Sequence, residues 1–180
     1  MTTLRRAFVA MSLTWAALLP LAPLAASQAA PAPLWFGLAF IVYGAGSFIC
    51  HQLPARSFHT WSVQWPVCAR CTGIYFGSAA AAAIVASKSK SKSKYVGSGF
   101  SRTASFSRTA GSCSQTVVSV ARTRMLLVLA ALPTAVTLLY EWTTGDTPSN
   151  VIRALAGAPL GAAVALVVVE ALRIQGAARR

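Results

Sequence analysis

Apolar residues in this chain fall into five blocks, residues 7–26, 34–49, 67–86, 125–140 and 151–174, separated by polar or turn-forming stretches. The blocks show neither strand alternation nor the one-sided spacing of a helix on a soluble core, and they approach the roughly 20 residues that a bilayer-crossing helix needs. The pattern predicts an all-α, multi-pass transmembrane helical bundle of about five spans, or four if the first block is a cleaved signal. Arg5 and Arg6 precede that block and small residues at Ala25, Ala29 and Ala30 follow it. Residues 1–33 therefore read either as an uncleaved first helix and turn or as a secretory signal, with Pro20 and Pro23 ending or kinking the helix. Residues 34–86 hold two spans around a central loop, 125–174 hold two more, and 175–180 form a basic tail. Gly73 and Gly77 recur with Ala81 every four residues, and Gly157 and Gly161 repeat the spacing. Both pairs suit faces where another helix can approach closely, the alternative for the first being merely alanine-rich membrane residues.

Composition sharpens this picture. Hydrophobic residues make up 56% of the 180, too many for an ordinary soluble domain, and the formal charge is +13. Half of the sixteen basic residues lie between Lys88 and Arg124. They fall in a Lys/Ser-rich segment, 87–124, that is expected to be a disordered linker facing anionic lipid. No aromatic–basic stacking pattern accompanies the charge, so no nucleic-acid partner is expected. Cys113 in this segment reads as an incidental thiol. Arg153 is expected to reach up to the interface, with pairing to Glu141 or Asp146 as the alternative; Glu170 and Arg173 are expected to pair. Alternation of five spans is read as placing the central loop and the Glu141 to Asn150 turn on opposite sides. The orientation is divided: the first helix argues for a cytoplasmic amino terminus, and the linker and tail argue for the reverse.

The unusual chemistry is concentrated in CHQLPARSFHTWSVQWPVCARCTG, residues 50–73, which hold both histidines and three of the four cysteines. Cys50 and His51 close one apolar block, while Cys68 and Cys71 open the next in a C-x-x-C pair. Neighbouring antiparallel spans would bring all four to one depth. Three thiols and an imidazole suit a tetrahedral zinc-like metal, with Cys50, His51, Cys68 and Cys71 as ligands and His59 as an alternative to His51. Gln52, Arg56, Ser57 and Arg70 are expected to support the ligands, the two arginines favouring thiolates. The same residues also suit a thiol–disulfide oxidoreductase, and a third possibility is structural thiols in a scaffold or conduit protein. No catalytic triad or phosphate loop can be placed, and neither a reaction nor an oligomeric state is named by the sequence.

CHQLPARSF followed by PVCARCTGIYFG resembles the signature of an uncharacterised family of small prokaryotic membrane proteins, domain of unknown function 2085. Pro133, Ser149, Asn150, Arg153, Gly157 and Gly161 are similar to that family's second block. The resemblance implies a multi-pass helical protein of the prokaryotic inner membrane and gives weight to Cys50, His51, Gln52, Pro54, Arg56, Ser57, Phe58, Cys68, Arg70, Cys71 and Gly73. It implies no activity. The family pattern also leads one to expect an aspartate after the proline of the fourth span, where this chain has Thr137; Glu141, one turn later, is the available substitute.

Overall fold

The computed structural model describes the backbone of residues 3–28, 32–92 and 112–178, and side chains within these except for residues 88–121 and 176–178. The centre of the Lys/Ser-rich linker, the last two residues of the tail and the Cys113 thiol lie outside this description. The described residues form five α-helices: α1 (Thr3–Ala26), α2 (Pro33–Ile49), α3 (Ala69–Lys92), α4 (Ser112–Thr144) and α5 (Asn150–Ala178). Helix therefore continues several residues into each end of the segment expected to be disordered. Four helices, α1, α3, α4 and α5, are long and apolar enough to cross a membrane.

The centre of the bundle is a seam between α3 and α5, which run parallel. Gly73 and Gly77 on α3 lie against the backbone of Ala154 and Ala158, and Gly157 and Gly161 on α5 lie against Arg70 and Ile74. A Cβ at Gly73 or at Gly161 would stand 1.9 Å from the facing carbonyl oxygen. The approach is thus closed to any larger residue. In lipid, where apolar side chains gain nothing by leaving water, such close packing is what holds helices together.

Helix α4 runs antiparallel to α5 and is held differently. Its span is almost entirely unburied within the molecule, and its attachments are polar: Thr134 Oγ1 donates to the Ala156 carbonyl at 2.8 Å, and Glu141 takes two arginines, described below. Helix α1 runs antiparallel to α3. Trp15 meets Tyr75 edge-on at 5.9 Å, and ten residues earlier Arg5 donates to the carbonyl of Val85, ten residues further along α3.

Helix α2 is the exception among the apolar blocks. It has 17 residues, and so is about 25 Å long. Its last turn is fixed at the start of α3, because the Cys68 N–H donates to Cys50 Sγ at 3.2 Å. The register of α1 on α3 carries Ala26 roughly 7 Å beyond that same level. If α2 ran along the bundle axis, Pro33 would lie roughly 32 Å from Ala26, whereas seven residue steps reach about 25 Å at most. Pro33 therefore cannot reach the opposite end of the bundle, and α2 does not cross. Only Ala39, Val42 and Gly46 are buried on it, while Leu34, Phe36, Phe40, Ile41 and Phe48 are exposed.

The central loop is partly a β-hairpin. Strands β1 (Ser57–Thr60) and β2 (Val63–Cys68) pair antiparallel, with an irregularity between Ser57 and His59. Trp61 and Ser62 make the two-residue turn at φ 51° and 62°, the left-handed geometry that lets a tight turn follow the strand twist. This loop and the turn after α4 lie at the same end of the bundle, correcting the opposite-sides expectation. Two crossings, α3 and α4, separate them in sequence, and an even number of crossings returns the chain to its starting side.

Candidate metal centre

The end of α2 is docked on β2 by side-chain hydrogen bonds to backbone. Gln52, at φ 48°, donates from Nε2 to the carbonyls of Tyr43 (3.0 Å) and Pro66 (2.7 Å). Tyr43 donates its hydroxyl to the Gln64 carbonyl, and Gln64 Nε2 returns a bond to the Gln52 carbonyl at 2.5 Å. Gly46 permits the approach, since a Cβ there would lie 2.3 Å from the Pro66 carbonyl oxygen. Ser57, fully buried, donates to the Leu53 carbonyl at 3.0 Å and closes the turn before the hairpin.

This docking brings Cys50, the residue capping α2, against Cys68, which ends β2, and Cys71, in the first turn of α3. The three Sγ atoms all lie within 4.8 Å of one another. All three thiols are half-buried and free of disulfides. A hydrogen bond from the Cys71 thiol holds the Cys68 thiol well below its ordinary value, at about 5; burial opposes this, and the Cys71 backbone N–H and the Cys50 thiol add to it. Cys68 therefore sits where a helix-capping residue accepts bonds from the first-turn amides, a position that favours thiolate. Around a zinc ion with Zn–S bonds of 2.3 Å, tetrahedral sulfurs stand about 3.8 Å apart. A contraction of up to about 1 Å would close this group on such an ion.

The histidines are not brought into the group. His51 is exposed and lies on the rim of the adjoining cleft, and His59 is exposed on β1, opposite Gln64. The physical reason is direction: Cys50 and His51 are consecutive in extended chain, so their side chains leave on opposite sides. Among the described residues, the closely spaced ligands are the three cysteines.

The second cluster lies on the other wall of the cleft. Glu141 is buried on α4, one turn from its end. Its Oε1 accepts from Arg153 Nε at 2.9 Å and Nη2 at 2.7 Å, and from Arg70 Nη2 at 2.9 Å. Arg56 Nη1 stands 3.7 Å from the other carboxylate oxygen. Arg153 is 2% exposed, so it does not reach up to the interface as expected: a carboxylate within hydrogen-bond reach inside the bundle holds it there. Arg70 Nη2 also lies 3.4 Å from Thr137 Oγ1, so Thr137 and Glu141 face one guanidinium. Asn150 Nδ2 donates to the Ser57 carbonyl at 2.8 Å and ties α5 to the hairpin. Between the two clusters is a cleft of about 390 Å³, lined by the three cysteines, Arg56, Arg70, Arg153, His51, Gln52, Ile49 and Leu53.

Sequence reasoning kept Glu141 only as an alternative. Its signal was an acid adjoining an apolar block in a chain with three acids in all. The three clustered cysteines, the hairpin and the buried Arg–Glu cluster all fall within residues 50–167, which match the model of the family described as "predicted membrane protein (DUF2085)". The chain belongs to the DUF2085 family. An uncharacterised protein of Methanocaldococcus jannaschii is 42% identical over 57 residues, covering 32% of this chain and 36% of the relative. Another, from Methanothermobacter thermautotrophicus, is 52% identical over 31 residues, 17% of this chain and 28% of the relative. The matched stretches thus span about a third of each archaeal protein, and no solved structure matches. What DUF2085 membership establishes is an integral membrane protein, in keeping with the four apolar helices.

Proposed function

We propose that this protein is a multi-pass protein of the prokaryotic cell membrane that binds one thiol-seeking divalent metal ion, zinc-like in its preferences, through Cys50, Cys68 and Cys71. The observation that carries this reading is the convergence of three sulfurs, within 4.8 Å of one another, from two sequence-distant elements. Three protein ligands would leave a tetrahedral ion one position short beside the cleft that the cysteines line, as in sites that exchange a ligand rather than in closed structural ones. Gln52 and Ser57 act by fixing the backbone that presents the thiols, and Arg70, between Cys68 and Cys71 in sequence, supplies positive charge beside a multi-thiolate site. Cys68 is thiolate above its lowered pKa and loses that form as pH falls through about 5, so at neutral pH a metal displaces no proton from this ligand.

A second reading, a thiol–disulfide oxidoreductase, is favoured by the same acidified Cys68 with two thiols in reach. Elemental analysis of detergent-purified protein, prepared without chelator, separates the two. About one zinc or iron per chain, lost in Cys68→Ser, is the expected result. Absence of metal from wild type with thiols intact, together with a Cys68–Cys71 disulfide that forms and reopens with redox buffer, would replace the first reading by the second.

A further inference from the structure

The arginine cluster is not explained by the metal reading. Three guanidiniums, Arg56, Arg70 and Arg153, face one carboxylate, Glu141, and all three arginines line the cleft. The group therefore carries two positive charges in excess. Even a divalent ion with three thiolates, a centre of net charge −1, leaves one of them unbalanced. Arg153 is held by Glu141 through two of its nitrogens, and the other two arginines have bonding capacity left. Among the described residues Arg70 Nε is buried without a hydrogen-bond partner, and the Arg56 side chain, 43% exposed, has the 3.7 Å contact to the carboxylate as its one ionic contact. Excess positive charge with a buried, orphaned donor is costly unless an anion completes it. Guanidiniums match oxyanions, which they bind through paired N–H groups.

We propose that the cleft binds a phosphate oxyanion on Arg56 and Arg70, supplied by the headgroup of an anionic phospholipid. The depth fits. Glu141 lies one turn from the end of α4, and Ala69 and Asn150 begin α3 and α5, so the cluster sits where the apolar spans give way to polar chain. The lips of the cleft fit as well. Ile49 and Leu53 line it, are 56% and 49% exposed, and adjoin Phe48 at 93%. A cationic floor beneath an exposed apolar rim is the complement of an anionic amphiphile and not of a free inorganic ion. The site draws its affinity from the arginines and not from the cysteines, so it stands or falls separately from the metal.

Native mass spectrometry of the full chain, with phosphatidylglycerol, phosphatidylcholine or inorganic phosphate added in turn, tests this. The expected result is one retained phosphatidylglycerol per chain, preferred at least about tenfold over phosphatidylcholine and weakened about tenfold in Arg56→Gln. Arg173→Gln, which removes an exposed arginine from the opposite end, should leave binding unchanged. Arg56→Gln is chosen because Arg56 is the least buried of the three and its loss spares the Arg153–Glu141 pair. Metal content is measured on the same wild-type samples, so that failure of lipid binding is read separately from failure of the metal reading. Saturable binding of inorganic phosphate with no preference for phosphatidylglycerol would overturn the lipid source. No saturable binding of either, or equal losses in Arg56→Gln and Arg173→Gln, would overturn the site.

Discussion

The two ends of the bundle use charge in opposite ways. At one end, Glu141 is buried and shared among three arginines; at the other, Glu170 and Arg173 form a pair at 3.6 Å with both side chains more than half exposed. The chemistry is the same and the surroundings are not. An exposed pair gains little because water solvates its members equally well apart, while a buried carboxylate is the counter-charge to Arg153, which is itself buried, and to the largely buried Arg70. The ends differ in amount of charge as well. Arg5, Arg6, the lysines at 88, 90 and 92, Arg122, Arg124 and Arg173 all belong to the end away from the cysteines. Because α2 does not cross, the described amino and carboxyl ends of the chain share that side, and the conflict between first helix and linker disappears. The positive-inside tendency then predicts a cytoplasmic position for this end and an outer-face position for the cysteine end.

This contrast can be tested most sharply by topology, where the expected outcome is all or none. A tag inserted at Gly145 should be reached by an impermeant reagent in sealed cells, and a tag after Arg180 should not; the reverse pattern would invert the assignment. Next in size is Glu141→Gln, which leaves Arg70 and Arg153 without a counter-charge and frees the otherwise weakly packed α4. A loss of about 3–5 kcal/mol is expected, read as a large drop in the thermal stability of the detergent-solubilised protein. Asn150→Ala removes the tie between α5 and the hairpin and should cost about 1–2 kcal/mol. Its diagnostic effect is faster alkylation of Cys50 and Cys68, because the hairpin that positions them loosens. Glu170→Gln should change stability by less than about 0.5 kcal/mol. A large effect there would mean that the exposed end is more structured than its accessibility indicates.

The sequence made the helices legible because bilayer length imposes a coarse, unambiguous pattern, and it made the thiol cluster legible because Cys50 closes one block while Cys68 and Cys71 open the next. It hid the hairpin. Trp61 and Ser62 occupy left-handed turn positions usually taken by Asn or Gly, so no turn signature was present to read. The failure of α2 to cross was equally hidden, because an apolar block of 17 residues looks alike whether it spans or lies along one side. Only the reach of the six residues before it decides. Arg153 was misread for a related reason. A lone arginine near a span end fits snorkelling, and what keeps it inside is Glu141, twelve residues away on another helix.

The glycine seam also determines how the molecule can be divided. Residues 3–92 supply all three thiols, Arg56 and Arg70, whereas 112–178 supply Glu141, Asn150 and Arg153; the contacts among them cross the α3–α5 boundary. Two polypeptides, one ending at Lys92 and one beginning at Ser112, would each keep two crossings and an intact half of that boundary. Co-expressed, they should complement one another in the membrane, and a leucine at Gly73 in the first fragment should abolish the complementation.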